Sequence, residues 1–180
     1  MRAVSSTNGR NDIAKPLMVP MTRELELRRK LTFRAHGKQM VFFKKSFESN
    51  IHVLTKAFLW ALFLPEYPDL SIEIPVGDRY KPDLVQTSES GVPVFWGEAG
   101  QVSQKKIHYL VNRLRSTHLV FAKWNMSLEP IQRIINKKTG SIRRFAPVDL
   151  ISLPAASDER FIRPDGTIRI GFNDVNRSRC

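Results

Sequence analysis

The residues best suited to chemistry lie between Lys81 and Lys106, in KPDLVQTSESGVPVFWGEAGQVSQKK. Asp83 follows a proline and opens one apolar run. Glu98 closes the next run, and Lys105 and Lys106 follow it closely. Carboxylates at the ends of neighbouring strands could share a hard cation such as Mg²⁺ or Mn²⁺, which prefers oxygen ligands. Such an ion activates water and stabilises charge on a phosphate under attack, so the chemistry would be phosphodiester hydrolysis. A nearby ammonium would add to that stabilisation. The plainer reading makes Asp83 a turn residue and Glu98 a surface acid. Glu98, however, sits within Phe-Trp-Gly-Glu-Ala-Gly, and a buried carboxylate is costly unless it is paired or holds metal.

Other groups could join these two. Glu48 and His52 are one helical turn apart and share a face, so both could look toward Asp83 and Glu98. They could equally be an acid near a helix N-terminus and a half-buried histidine. Gln101, Gln104, Lys105 and Lys106 open the helix after Glu98, where Gln101 and either lysine could position phosphate or water; a solvated first turn is the alternative. Tyr109 is similarly open. Arg79 and Lys81, together with Lys44, Lys45, Arg113, Arg115, Arg143 and Arg144, are candidates for phosphate contacts. Trp60, Trp96 and Trp124 read as core aromatics rather than base-stacking ones. No Gly-x-Ser-x-Gly, Walker loop, dinucleotide fingerprint or His-Glu-x-x-His occurs, which argues against those enzyme classes.

The elements that must position these residues follow from periodicity. Residues 1–25 are polar and lack a pattern, and are expected to be a disordered tail; Arg23–Lys30 is charged and is either a short helix or the approach to a strand. Residues 26–176 are expected to form one domain. Leu31–Ala35 and Gln39–Lys44 read as a hairpin turning at His36-Gly37. A helix capped by Ser46 or Ser49 runs to about Leu64, with Leu54, Ala57, Phe58, Ala61 and Leu62 on one face. Strands are expected at Leu70–Ile74, Pro82–Gln86 and Val92–Ala99, with a turn at Ser88–Gly91. A helix capped by Ser103 buries Ile107, Leu110, Val111 and Leu114. A strand at His118–Lys123, a helix at Ser127–Lys137 and a strand at Val148–Leu153 follow. The Asp165-Gly166 pair between alternating arms suggests a closing hairpin. This order predicts an α/β fold, a mixed β-sheet flanked by helices.

The chain has 180 residues and a formal net charge of +12, with pI near 10.3. That balance favours a polyanionic partner, of which nucleic acid, DNA or RNA, is the commonest. No apolar run is long enough to span a bilayer, and residues 1–15 lack a secretory signal's apolar centre. The single cysteine, Cys180, excludes an internal disulfide and a thiolate metal cage. A cytoplasmic protein is the expectation.

Three stretches resemble the YaeQ family, a bacterial group with the restriction-endonuclease-like PD-(D/E)xK fold. They are Glu48–His52 with Leu54, Lys56, Ala57 and Ala61; Lys81-Pro82-Asp83-Leu84 through Trp96-Gly97-Glu98-Ala99-Gly100-Gln101 and Lys105-Lys106; and Val148–Leu153 with Asp165-Gly166-Thr167-Ile168. The resemblance covers roughly residues 30–175 and implies that fold, with Asp83 and Glu98 as ligands of Mg²⁺ or Mn²⁺ and Glu48 as a third acid. It departs from the pattern at Val102-Ser103, where the family favours Pro-Asp. In the wider nuclease fold a lysine stands two residues after the second acid, and here that position is Gly100. The implied function is a metal-dependent nuclease in which Lys105 or Lys106 substitutes from the helix. The alternative is a nuclease-fold protein without catalysis that binds nucleic acid or a protein partner.

Overall fold

The computed structural model describes residues 29–139 and 143–180, so the expected tail over residues 1–25 lies outside the described residues. Two strands, β1 (Lys30–Ala35) and β2 (Lys38–Phe43), form the expected antiparallel hairpin. Its two-residue turn, His36-Gly37, has φ of 48° and 75°, the left-handed pair that matches strand twist. Helix α1 (Asn50–Phe63) follows, capped by Ser49, whose hydroxyl accepts from the His52 amide. Pro65 and Pro68 lie just beyond its end, as expected of helix breakers.

The main sheet has six strands in sequence order: β3 (Ser71–Ile72), β4 (Leu84–Thr87), β5 (Pro93–Ala99), β6 (His118–Trp124), β7 (Val148–Leu153) and β8 (Asn176–Arg179). Strands β5, β6 and β7 are parallel and the other pairings antiparallel. Helices α2 (Gln104–Arg113) and α3 (Glu129–Thr139) make the parallel crossovers, followed by the short α4 (Ser157–Phe161) and a 3₁₀ turn at Phe172–Asp174. This is the mixed, helix-flanked sheet expected from the sequence.

Helix α1 departs from the expectation of one buried face. Every residue from Val53 to Phe63 is buried, because the helix lies between the main sheet and the β1–β2 hairpin. Phe33 and Phe42 of the hairpin and Leu84, Phe95 and Val120 of the sheet share one core with it. Each buried Leu or Phe there contributes about 1.5–3 kcal/mol. A second core on the other sheet face joins Trp96, Leu119, Phe121 and Leu150 to Ile107, Leu110, Val111 of α2 and Ile131, Ile135 of α3.

The C-terminal region also differs from expectation. The Asp165-Gly166 turn forms, but its arms are reduced to a single antiparallel bridge between Ile162 and Ile168. Arg160 and Phe161 belong to α4, and the turn instead docks on β1 through Arg34. Strand β8 is an addition that the sequence reading lacks. Its pattern, Asn-Arg-Ser-Arg, is polar, and an ion cluster secures it: fully buried Asp149 accepts from Arg177 at 2.5 Å and Arg179 at 2.8 Å. His118 Nε2 lies 2.9 Å from the same carboxylate, and its Nδ1 is 2.9 Å from the Tyr67 hydroxyl. Burial alone would raise the Asp149 pKa, but hydrogen bonds from Arg179, His118 and Arg177 hold it well below the usual carboxylate range.

Candidate functional site

The antiparallel register of β4 and β5 pairs Leu84 with Gly97, so Asp83 and Glu98 are the next neighbours at the strand ends. The expected side-by-side placement therefore occurs, but the two carboxylates make different contacts. Asp83 Oδ2 accepts from the Ala99 amide at 2.8 Å, and Oδ1 lies 3.4 Å from His52 Nε2. Glu98 shares its sheet face with Trp96, whose Nε1 donates to Oε1 at 2.7 Å, while Lys106 donates at 2.6 Å. Only 3% of Glu98 is exposed. Burial raises its carboxyl to about 7, opposed by Lys106 and assisted by the charge of Asp83.

Glu48 and His52 also come together as expected, with Nε2 to Oε1 at 3.2 Å. Behind them the structure adds three residues that sequence reasoning missed as a unit. Lys56, 1% exposed within α1, donates to Glu48 Oε1 and, at 2.5 Å, to Glu73 Oε1. Lys45 pairs with the other oxygen of Glu73. Burial would raise Glu73, but the Lys45 and Lys56 hydrogen bonds outweigh it and hold its carboxyl at about 2. A lysine inside the apolar run Leu-Thr-Lys-Ala-Phe-Leu-Trp was the available signal, because a buried ammonium needs an acidic partner.

These groups border a cavity of about 750 Å³. Glu48, His52, Glu73, Asp83, Lys81, Gln101 and Lys123 supply its polar lining. Phe47, Ile51, Trp124 and Met126 form an apolar wall. Glu98 and Lys106 do not line it. Arg79 is exposed and stands over the Tyr80 ring, Lys105 is exposed on α2, and the Tyr109 hydroxyl donates to Asp78 at 3.2 Å. Trp60 and Trp96 are core residues as expected, whereas Trp124 is only partly buried.

The position two residues after Glu98, Gly100, is a glycine for a backbone reason. Its φ is +74°, a left-handed backbone disfavoured for side-chain-bearing residues, and a Cβ there would sit 3.1 Å from His52 Nδ1. An amine from the next strand meets the Gly100 carbonyl. Lys123 of β6 is 7% exposed, and its Nζ donates to the Gly100 carbonyl at 2.5 Å. Among the described residues no carboxylate pairs with it, and burial alone lowers its pKa. Its signal was a lysine at the end of the apolar run His-Leu-Val-Phe-Ala-Lys-Trp.

Mg²⁺ or Mn²⁺ requires carboxylate oxygens free to coordinate it. Both Glu98 oxygens, both Glu48 oxygens and Oδ2 of Asp83 are already matched to hydrogen-bond donors of the chain. Among the described residues no group of three or more His, Cys, Asp or Glu side chains is set to hold a metal ion. In this arrangement the residues do not fit the metal, and the carboxylates serve mainly to hold lysines.

No protein-family model and no curated protein matches this chain. Two solved structures are similar in fold. The YaeQ protein from Xanthomonas axonopodis pv. citri superposes with a TM-score of 0.53 and 17% identity, covering 79% of this chain and 81% of that one. The YaeQ protein from Pseudomonas syringae gives 0.52 and 13%, covering 79% and 82%. The chain thus has a YaeQ-like fold. Among the described residues no helix is long and apolar enough to cross a membrane.

Proposed function

We propose that this chain, on its YaeQ-like fold, binds the phosphate backbone of nucleic acid at the cavity beside Gly100 without metal-dependent cleavage. One observation carries the reading: Lys123 is a buried ammonium with no acidic partner among the described residues, held at the cavity by the Gly100 carbonyl. An unpaired buried charge is costly, and an anion entering the cavity supplies the missing partner. Lys81 lines the same cavity, and the net charge of +12 favours polyanions over neutral ligands. The acids do not cancel this preference. Glu48 and Glu73 are offset by Lys56 and Lys45, and Asp83 keeps its charge, so Lys81 and Lys123 leave the site one positive charge in excess.

The test is fluorescence anisotropy with a labelled oligonucleotide over a salt series in EDTA, for the natural protein and Lys123→Met. Binding is expected to weaken steeply with salt, and the variant is expected to lose affinity with a salt slope smaller by about one phosphate contact. Binding unaffected by Lys123→Met would refute the site. Mg²⁺-dependent cleavage that disappears in Glu98→Ala would replace this reading with the nuclease one.

A further inference from the structure

We propose that the cavity takes an unpaired nucleotide, with its base against the Phe47–Trp124 wall and its phosphate on Lys123, so that the ligand is single-stranded rather than duplex nucleic acid. This rests on the phosphate-binding reading above and goes further by assigning the strandedness and the base contact.

Several observations converge on this occupant. The cavity lining combines two chemistries: the lysines Lys81 and Lys123, and the apolar side chains of Phe47, Ile51, Trp124 and Met126. An inorganic anion or a duplex backbone would use only the first. Phe47 is 86% exposed, Met126 53% and Ile51 45%, so large apolar side chains meet water at the rim of a cationic cavity. An exposed aromatic ring beside ammonium groups is the arrangement by which single strands are held, since every base has a π-face and stacking is tolerant of sequence.

Trp124 is fixed in place. One side of its ring packs on Phe58 with centroids 5.8 Å apart, and Nε1 donates to the Ala155 carbonyl at 3.1 Å. It is therefore a rigid surface that loses little side-chain freedom when a base covers it. Trp124 and Lys123 are the last two residues of β6; their side chains leave the strand in opposite directions, and both border the cavity at the strand end. A volume of about 750 Å³ matches a pocket for one small-molecule-sized group. That is room enough for a nucleotide splayed out of its stack.

The test compares three labelled probes of equal length in EDTA: a single-stranded oligonucleotide, the matching blunt duplex, and an abasic strand that keeps the phosphates and lacks bases. The natural protein is expected to bind the single strand about tenfold more tightly than the abasic strand, the effect of one stacked base. Phe47→Ala, whose side chain is exposed and outside the core, is expected to remove that preference and leave abasic binding unchanged. Tryptophan fluorescence is expected to be quenched by the single strand but not by the abasic one, with the quenching absent in Trp124→Phe. Equal affinity for the single strand and the abasic strand, or tighter binding of the duplex, overturns the base contact while leaving phosphate binding intact. Binding of none of the probes overturns both readings.

Discussion

Replacing Glu98 by glutamine isolates the energetic effect of burying that acid. The carboxyl is 3% exposed and is raised from an ordinary 4.5 to about 7, chiefly by burial. Because the folded pKa lies above the unfolded one, the fold favours the protonated form. The associated stability is fully present below about pH 4.5 and is lost as pH rises through about 7. At about 1.4 kcal/mol per pH unit, the interval between the two values amounts to about 3 kcal/mol. Glutamine keeps the shape and an acceptor for Trp96 but has no proton to lose, so its fold carries no such penalty. The substitution also removes the ion pair with Lys106, a cost that applies mainly at high pH and is already included in the net value. Urea unfolding midpoints at a series of pH values give the difference between Glu98→Gln and the natural protein, in which titrations common to both cancel. That difference is expected to move in favour of glutamine by about 3 kcal/mol between about pH 4 and pH 8. Parallel curves over this range would refute the reasoning, because they would mean that Glu98 titrates as it does in the unfolded chain.

Other perturbations test the neighbouring features. Gly100→Ala places a side chain on a left-handed backbone and against His52, and is expected to cost about 1–2 kcal/mol in urea unfolding. Oligonucleotide affinity is expected to fall as pH rises through the lowered pKa of Lys123, earlier than for an ordinary lysine, and to lose this component in Lys123→Met; anisotropy titrations across alkaline pH measure it. Asp149→Ala strips three partners of their shared carboxylate and is expected to destabilise by about 3 kcal/mol, with hydrogen exchange of the β8 amides rising before those of β5 and β6.

Much of the architecture was legible because local chemistry marks it. The left-handed His36-Gly37 turn, the serine caps of α1 and α2 and the long apolar runs of β5, β6 and β7 all announce themselves in the sequence. Strand β8 did not, since its residues are polar and its place is set by Asp149, about 30 positions away in the chain. Trp124 was read as a core aromatic just beyond the strand His118–Lys123, but it is the last residue of β6 and emerges at the cavity. The site divides in the same way. Glu48, His52 and Asp83 were found and do converge, whereas Glu98, Lys105 and Lys106 lie away from the cavity that those three border.

By itself the sequence determined the strand and helix order, the pairing of Asp83 with Glu98 at adjacent strand ends, and the excess of positive charge. These follow from alternation, capping and composition, which act over a few residues or over the whole chain. Only the tertiary structure decided which lysine meets which acid. Lys56 and Lys45 reach Glu73, Lys106 reaches Glu98, and Lys123 meets the Gly100 carbonyl at the cavity and no acid among the described residues. Such pairings depend on ångström-scale approach across elements distant in the chain, where desolvation and Coulomb attraction are both large, and no local pattern encodes their balance.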